Sequence, residues 1–459
     1  MRGLRIAAAL LAAVTVAHAA LASAPVPGKR QNHAHHTIRS PHAGPRSVAH
    51  AVPPTQHVDL RWTGSWAAAQ QLPEVSNQLP PEALQNTTLR QTVHLSTGGT
   101  TIRVRISNAY GAAPMHLTAV HVARPMRGLL GVIVPETDVA LTFGGHGDVT
   151  IPAGADVFSD PLPFPVAPLS DLTISLHYDS LLSQPTGHPG ARAATFIAPG
   201  DQVSAATPAP YTMLEHWYFI AAVEVQGPQA HSAVVALGDS ITDGRGSVPN
   251  ANNRWPDYLA RRLAADPATR DIGVLNMGIG GNRVLLDGLG PSTLARFDHD
   301  VLSQDGVRWL ILFEGVNDLG TLTREAPATP AEHDALVARL LVAYAQIVQR
   351  AHDHGIKVMA ATVTPFMGFA YYHPTAENEA DRQALNAWLR APGHADALVD
   401  FDAAVRDPAA PDHLLPAYDV GDHIHPSVEG YRVLADMIPL SFFAPVKPPA
   451  VHRHPGKRK

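Results

Sequence analysis

A serine that follows an apolar segment is the residue best placed for nucleophilic chemistry in this chain. Residues 233–237 are all apolar, and Ser240 follows closely after them. A serine at the end of a buried strand is held by rigid backbone while its hydroxyl faces solvent, which suits a nucleophile. Near the other end of the chain, Asp422 precedes two histidines, His423 and His425. Together, these two segments contain the residue types of a hydrolase active site.

The chemistry of these side chains defines the candidate roles. A serine hydroxyl is a weak nucleophile at neutral pH, so it needs a base within hydrogen-bond reach. Imidazole titrates near pH 6.5 and can take a proton and return it later. A nearby carboxylate can fix its tautomer and stabilise the imidazolium. His423 and His425 are rival bases, Asp419 and Asp422 are rival partners, and Asp239 is interpreted as structural.

Strands and helices alternate after residue 227, and this pattern predicts how the candidate residues are positioned. Short apolar runs of strand type, separated by helical stretches, cover residues 233–237, 274–275, 309–313 and 358–362. Such alternation favours right-handed crossovers and a parallel sheet covered on both sides. In these sheets the chemistry collects at the carboxyl ends of the strands. The sequence therefore predicts an α/β fold, a three-layer αβα sandwich with a parallel sheet.

One helix has clear signals at both ends. Thr329 can cap it, Pro330 takes the first helical position, Glu332 completes a capping box and Gly355 provides the stop. The expected core face consists of Leu336, Leu340, Tyr344, Ile347, Val348 and Ala351. Further helices are predicted over residues 255–265 and 377–389.

Residues 59–227 show a different period. Apolar and polar residues alternate over residues 102–106 and 172–178, and glycine-containing turn signals separate such runs. This pattern is typical of antiparallel strands with one buried and one solvent-facing side. An all-β sandwich or jelly-roll-like domain is therefore predicted to precede the α/β domain.

Residues 233–440 resemble the SGNH (GDSL) superfamily of serine hydrolases. The resemblance rests on four segments that occur in the order of the family's blocks: Gly238-Asp239-Ser240, Asn276-Met277-Gly278-Ile279-Gly280-Gly281, Gly315-Val316-Asn317-Asp318 and Asp422-His423-Ile424-His425. It implies an SGNH/flavodoxin-like αβα fold and hydrolysis of carboxylic esters. The β-rich residues 59–227 look more loosely like the N-terminal module of some exported bacterial members.

The resemblance also implies a role for individual residues. Ser240 corresponds to the nucleophile, His425 to the base and Asp422 to its partner. His425 is preferred to His423 because it has the matching spacing and precedes a proline. Asp419 remains an alternative partner for the base.

An oxyanion hole is implied by the same segments. Charge that forms on the ester carbonyl oxygen needs preorganised donors, namely the backbone N–H groups of Ser240 and Gly281 and the side-chain amide of Asn317. Glycine at position 281 permits close approach of the substrate oxygen. The alternatives are that Gly281 serves only a turn and that Asn317 forms an Asx-turn.

The domain organisation is predicted from composition. Residues 1–24 begin with positive charge, continue with a short apolar core and contain small residues before two possible cleavage points. This pattern indicates an export signal, and an N-terminal anchor is the alternative. The predicted order is a signal peptide at 1–24, a disordered His/Pro-rich linker at 25–58, a β-sandwich-like accessory domain at 59–229, an SGNH catalytic domain at 230–445 and a basic disordered tail at 446–459. The mature protein is expected to be secreted or periplasmic.

Composition limits the other function classes. The net charge of -6 gives no global case for nucleic acid or membrane-surface binding, and the absence of cysteine excludes disulfides and thiolate metal sites. No dinucleotide or phosphate-binding motif is complete, so no cofactor and no metal is expected. Stable membrane insertion is not expected, and the sequence does not indicate an oligomeric state.

The predicted function is an exported serine esterase that forms an acyl-enzyme. The predicted substrate is a small-molecule or glycan ester, namely a short-acyl one such as an O-acetyl group on a glycan, because residues 242–253 and 282–292 carry Asp, Arg, Asn and Gly rather than a long apolar stripe. Asp243, Arg245 and Arg254 are interpreted as solvated loop charges. The alternatives are a lipase or lysophospholipase, and a carbohydrate-binding or adhesion protein with a degenerate hydrolase domain.

Overall fold

The protein is described by a computed structural model that covers residues 61–227 and 231–443. The predicted signal peptide, linker and basic tail lie outside these residues and stay predictions. Within the described ranges, no helix combines the length and apolarity needed to cross a membrane. The described residues form two hydrophobic cores.

The first core belongs to two antiparallel sheets. One sheet has the order β1-β14-β3-β7, with β8 also on β3, and the other has the order β12-β11-β2-β9-β4-β5, with β6 on β4. The strands are β1 Thr63–Ala67, β2 Thr87–Leu95, β3 Gly99–Ser107, β4 Met115–Ala123, β5 Val139–Ala140, β6 Val149–Ile151, β7 Asp156–Phe158, β8 Leu162–Val166, β9 Ser170–Tyr178, β10 Gly187–His188, β11 Thr195–Pro199, β12 Thr212–Leu214, β13 Trp217–Tyr218 and β14 Ile220–Gln226.

The alternating pattern of β3 and β9 predicts their inner faces correctly. Ile102 and Val104 from one sheet and Leu172 and Ile174 from the other share one core. This burial of apolar area is the main force that holds the two sheets together.

The prediction that the charged face of β3 is exposed to solvent is wrong. Arg103 pairs with Glu224 beside it and with Asp305 of the α/β part, at 2.6 and 2.5 Å. Arg105 donates to Asp156 at 2.8 Å and to Ser303 of the α/β part at 3.2 Å. The charged face of this strand therefore contacts the neighbouring part of the protein instead of water.

The second core surrounds a parallel sheet, as the sequence predicts, and the order of its strands is β16-β15-β17-β18-β19. Its strands are β15 Ser232–Gly238, β16 Ile272–Gly278, β17 Val307–Phe313, β18 Lys357–Ala361 and β19 Ala397–Val399, and a hairpin of β20 Arg406–Asp407 and β21 Ala410–Leu414 follows. The helices are α1 Ser240–Asp243, α2 Trp255–Ala265, α3 Thr293–Phe297, α4 Val316–Thr323, α5 Pro330–Asp353, α6 Ala376–Arg390, α7 Phe401–Val405 and α8 Val428–Met437.

Short helical turns complete the chain at Val75–Asn77, Pro81–Ala83, Pro135–Thr137, Asp298–Leu302 and Leu440–Phe443. The helices pack in two groups, with α2, α7 and α8 in one and α3 to α6 in the other. Helices on both sides of the sheet confirm the αβα prediction.

The helix signals in the sequence are confirmed. The side chain of Thr329 accepts from the backbone of Glu332, whose carboxylate in turn accepts from the Thr329 N–H at 2.7 Å. The predicted core face of α5 is buried throughout. Gly355, with φ +71°, follows the end of the helix. Helix α2 has the predicted bounds, and α6 extends one residue beyond the prediction at each end.

A buried histidine joins the β-rich part to the α/β part. Its ring nitrogens face two oxygens, with His188 Nδ1 2.8 Å from the Ala69 carbonyl and Nε2 2.9 Å from Asp243 Oδ1. The histidine and Asp243 side chains are only 5% and 2% exposed. Asp243 is therefore not the solvated loop charge that the sequence suggests.

Gly190 allows the two parts to approach closely at the same place. A Cβ at this position would lie 1.6 Å from Asp243 Oδ2. Nearby, Arg254 Nη2 donates to the Ala191 carbonyl at 2.5 Å, so Arg254 is also a buried contact and not a solvated loop charge.

Removal of His188 tests this junction. We expect His188→Ala to lower the free energy of unfolding by about 3–5 kcal/mol, because the Asp243 carboxylate would stay buried without its partner. Urea unfolding at neutral pH measures the loss. His94→Ala is the matched control, since it removes a histidine from a partly exposed pair with Asp171 and should have a much smaller effect. Equal effects of the two substitutions would contradict the prediction.

Candidate active site

Ser240 lies where β15 ends and α1 begins. Asp239 caps this short helix through a 2.8 Å hydrogen bond from the Ile241 N–H to its carboxylate, as its structural interpretation predicts. Gly238 is required by close packing, because a Cβ there would lie 2.1 Å from Thr242 Oγ1. The Ser240 backbone N–H occupies the first turn of the helix, where it has no partner within the helix.

His425 and Asp422 form a hydrogen-bonded relay with the serine. Ser240 Oγ lies 2.8 Å from His425 Nε2, and His425 Nδ1 lies 2.7 Å from Asp422 Oδ2. Asp422 Oδ1 also accepts the backbone N–H groups of Ile424 and His425 at 3.2 and 3.0 Å. This arrangement can remove the serine proton and stabilise the imidazolium that results.

The rival histidine is arranged differently. His423 Nδ1 lies 2.8 Å from Asp419 Oδ2, and its side chain is 53% exposed, whereas His425 is buried. The two rivals, His423 and Asp419, therefore pair with each other, and the serine hydrogen bond goes to His425.

The electrostatics of the relay suit a neutral base beside an ionised carboxylate. Burial alone would raise the pKa of Asp422, but the hydrogen bond and charge of His425 and the backbone donors lower it to about 2. Burial lowers the pKa of His425, and the positive charges of Arg245 and Arg192 act in the same direction, while Asp422 opposes them. The imidazole is therefore ready to accept a proton near neutral pH.

The proposed oxyanion donors face one cleft together with the relay. Ser240, Gly281 and Asn317 all line it. Gly281 has φ +71°, a backbone conformation that favours glycine. A Cβ at this position would also lie 2.4 Å from Leu289 Cδ1, so the packing requires glycine as well.

Asn317 is held in one orientation by two hydrogen bonds. Its Oδ1 accepts from the Tyr372 hydroxyl at 2.7 Å, and its Nδ2 donates to the Asn282 carbonyl at 2.8 Å. Burial raises the pKa of Tyr372, so the hydroxyl stays protonated and able to donate. Among the described residues, the second Nδ2 hydrogen of Asn317 has no acceptor, which the predicted role as an oxyanion donor requires. No sequence signal pointed to Tyr372, which lies 55 residues away from Asn317.

A buried arginine joins the ends of the strands beneath the site. Arg296 donates to the carbonyls of Gly238 and Met277 at 2.9 and 2.7 Å. It also donates to Asn282 Oδ1 at 2.9 Å and to Asp300 at 2.7 Å. Strands β15 and β16 and the loop that carries Gly281 are thereby held by one side chain, which the sequence analysis missed.

Three carboxyl groups lie in the same buried region. Burial raises the pKa of Asp239 to about 7 and that of Asp318 to about 6, and burial together with the charge of Asp239 raises that of Glu314 well above its usual value. Asp318 accepts the backbone N–H groups of Val284 and Leu285 at 2.7 and 3.0 Å. This carboxyl group therefore holds the loop after Gly281 from the opposite side to Arg296.

The cleft has a volume of about 590 Å³ and is lined by both parts of the protein. The β-rich part contributes Gln71, Glu74, Asn77, Pro189, Gly190, Arg192 and His216. Arg245 lines the cleft as well and is exposed, in agreement with its interpretation as a solvated charge. The shared wall was beyond the reach of motif analysis, because its residues carry no local signature.

Sequence comparison identifies relatives of the α/β part. Residues 236–433 match the model of the GDSL-like Lipase/Acylhydrolase family. An acetylxylan esterase from Geobacillus stearothermophilus is 28% identical over 216 residues, which cover 43% of this chain and 88% of that protein.

One solved structure to which this chain is similar is an acetylxylan esterase from Geobacillus stearothermophilus in a catalytic-mutant form. The two are 21% identical, the match covers 45% of this chain and 91% of that chain, and the TM-score is 0.34. A GDSL-like lipase from Bacteroides thetaiotaomicron has 23% identity, 45% and 85% coverage and a TM-score of 0.32.

The orientation of Asn317 provides a test of the hole. We expect Asn317→Ala to lower kcat for an aryl acetate by about 100- to 1,000-fold, because one donor to the developing oxyanion is lost. Tyr372→Phe should lower kcat about tenfold with little change in KM, since the amide remains but loses one orienting hydrogen bond. Tyr211→Phe, on an exposed ring of the β-rich part, is the matched control. A change confined to KM would make Asn317 a ground-state binding residue.

The pKa of His425 predicts the acid side of the pH profile. The base must be neutral to act, and its pKa lies below the ordinary value of 6.5. As pH falls through this lowered pKa, the imidazole is protonated and activity is lost. We therefore expect the acid limb of kcat/KM, which reports the free enzyme, to have its midpoint below pH 6.5. His423→Ala should leave that midpoint in place; a shift with this variant would identify His423 as the titrating group.

Proposed function

We propose that this protein removes short acyl groups, in particular acetyl groups, from a glycan. It is a serine hydrolase that acts on ester bonds and belongs to the GDSL-like lipase/acylhydrolase family through residues 236–433. The observation that carries the proposal is the hydrogen-bonded relay from Ser240 through His425 to Asp422 at the edge of a polar cleft. The intact relay and the family match together favour an active enzyme over a degenerate hydrolase domain.

The proposed reaction begins with attack of Ser240 Oγ on the ester carbonyl carbon while His425 Nε2 takes the hydroxyl proton. Asp422 stabilises the imidazolium. The negative charge that forms on the carbonyl oxygen is held by the N–H groups of Ser240 and Gly281 and by the amide of Asn317.

Collapse of this intermediate breaks the bond to the alcohol, and His425 gives its proton to the departing alkoxide oxygen. The acyl group then remains on Ser240 as an ester. Water attacks this acyl-enzyme with His425 again as base, and the second tetrahedral intermediate releases the carboxylic acid and restores the serine hydroxyl.

The lining of the cleft supports a small acyl group. Leu289 packs directly beside Gly281 and provides a compact apolar surface next to the proposed oxyanion hole. An acetyl methyl group fits such a surface.

Other parts of the lining support a sugar as the alcohol. The Tyr371 side chain is 57% exposed and lines the cleft, where its ring can stack on the apolar face of a sugar. Gln71, Glu74 and Asn77 offer amide and carboxylate groups for hydroxyls. The acetylxylan esterase among the relatives agrees with this class of substrate. The β-rich part is accordingly proposed to shape substrate binding.

A lipid ester is the second candidate. Leu289, which lines the cleft, is 43% exposed, and Leu286 of the same loop is 54% exposed, so this loop offers apolar surface to a lipid. The protein is also proposed to be exported, on the basis of the signal-like residues 1–24.

Acyl-chain selectivity decides between the two candidates. We expect kcat/KM for p-nitrophenyl esters to be highest for acetyl and to fall steadily toward palmitoyl, and we expect release of acetate from an acetylated glycan. A maximum at eight carbons or longer would overturn the deacetylase proposal and support a lipase.

Matched variants identify the residues responsible in the same assay. Ser240→Ala and His425→Ala should each leave no more than a few per cent of the activity, and their combination should cost little more, because the two groups act as a unit. His423→Ala is the matched control two residues away. Inactivation by the control instead would show that the register of the motif has been misread.

A further inference from the structure

Two arginines lie in the cleft without a carboxylate partner. Arg192 from the β-rich part and Arg245 from the loop after Ser240 both line the cleft beside His425. Within residues 61–227 and 231–443, neither guanidinium forms an ion pair, and Arg192 Nε is buried without a hydrogen-bond partner. A guanidinium in such a place is available to a ligand.

The acidic groups of the cleft do not neutralise these arginines. Glu74 accepts hydrogen bonds from the side chains of Gln71 and Asn77, both at 2.8 Å. Asp243 is paired with His188. Asp243 Oδ2 is buried without a hydrogen-bond partner. Within the described residues, neither Glu74 nor Asp243 forms an ion pair with Arg192 or Arg245, so both guanidinium charges remain available to the substrate.

The backbone of Arg192 is held firmly in place. Its carbonyl accepts from the Asn250 N–H at 2.7 Å, and the nearby Ala194 N–H donates to Asn250 Oδ1 at 2.8 Å. Its φ of +50° is unusual for a residue other than glycine. Such a conformation persists only where the surroundings impose it, and it is often found at functional sites.

The position of the two arginines indicates which side of the ester they face. Both positive charges act on His425, the group that returns its proton to the departing alcohol. Leu289 lies beside Gly281 at the proposed oxyanion hole. Since the departing alcohol must come within reach of His425, a ligand group bound by these arginines is near the alcohol part of the ester.

We propose that Arg192 and Arg245 form a subsite for a carboxylate on the alcohol part of the ester, so that the preferred substrate is an acyl ester of an acidic glycan that contains uronic acid. Arginine suits this role because its planar fork can donate two parallel hydrogen bonds to a carboxylate. The proposal rests on the proposed esterase function and deepens it.

A pair of aryl acetates that differ in one charge tests the subsite. 3-Acetoxybenzoate carries a carboxylate on the leaving group, and methyl 3-acetoxybenzoate is its neutral counterpart. The measured quantity is the ratio of kcat/KM for the anionic ester to that for the neutral ester. Comparison of this ratio between wild type and variants cancels the intrinsic difference in reactivity of the two esters.

We expect Arg192→Gln and Arg245→Gln each to lower the ratio about tenfold, and Arg192→Glu to lower it further because repulsion replaces attraction. Arg192→Lys, which keeps the charge but loses the fork, should retain an intermediate ratio. Arg339→Gln on the exposed face of α5 is the matched control and should leave the ratio unchanged. Arg245 is exposed, so its variants keep the test decisive even if those of Arg192 fail to fold.

A second pair of substrates distinguishes the two possible sources of the carboxylate. p-Nitrophenyl hemisuccinate carries its carboxylate on the acyl group, and p-nitrophenyl butyrate is a neutral ester of the same acyl length. If the arginine variants lower the ratio for this pair and not for the benzoate pair, the assignment to the alcohol side is overturned. Acetylated xylo-oligosaccharides with and without a glucuronic acid branch extend the test to glycans, and the branched ones should be preferred.

The outcomes separate this inference from the proposed function. If the wild-type enzyme hydrolyses both acetates and the variants leave their ratio unchanged, the subsite is overturned while the esterase function stands. An equal loss on both esters also overturns it, because the arginines would then act on the reaction in general. If the wild-type enzyme hydrolyses no short ester at all, the proposed function itself fails.

Discussion

The geometry of the cleft depends on one buried cation. The guanidinium of Arg296 binds the carbonyls at the ends of β15 and β16, and these strands lead to Ser240 and Gly281. A buried charge is costly unless it is paired and hydrogen-bonded. Asp300 provides the opposite charge at 2.7 Å, and a carboxyl oxygen of Glu314 lies 3.4 Å from the guanidinium. Ser240 and the loop that carries Gly281 are therefore both held by the Arg296 guanidinium, whose burial is stable only when all of its partners are present.

This support explains why the site can combine a rigid centre with a varied surface. The reacting groups lie at strand ends and helix starts, where backbone hydrogen bonds fix them to fractions of an ångström. The cleft wall, by contrast, comes from loops of the β-rich part and is joined to the centre through His188 and Asp243. The reacting groups thus come from the α/β part alone, whereas the wall of the cleft is shared by both parts and held together by the polar junction.

Sequence analysis predicted those features that depend on local patterns. The strand runs, the capping box of α5 and the spacing of three between Asp422 and His425 each follow from neighbouring residues, and the structure agrees with them. Contacts between distant residues carry no such signal. The alternation in β3 correctly predicted a polar face, but it could not show that Asp305 covers this face instead of water. The pairing of Tyr372 with Asn317 was hidden for the same reason.

The short segment around Gly190 and Arg192 has a consequence for the diversification of such enzymes. It is fastened at both flanks, by His188 on one side and by Asn250 on the other, while the side chain of Arg192 is available in the cleft. In the proposed subsite, a change of this one side chain alters what the enzyme selects while Ser240, His425 and Asp422 stay in place. Gly190 cannot vary in the same way, because any larger residue would press on Asp243. Substrate range can therefore evolve by single substitutions between fixed anchor points, with the hydrolytic machinery inherited unchanged.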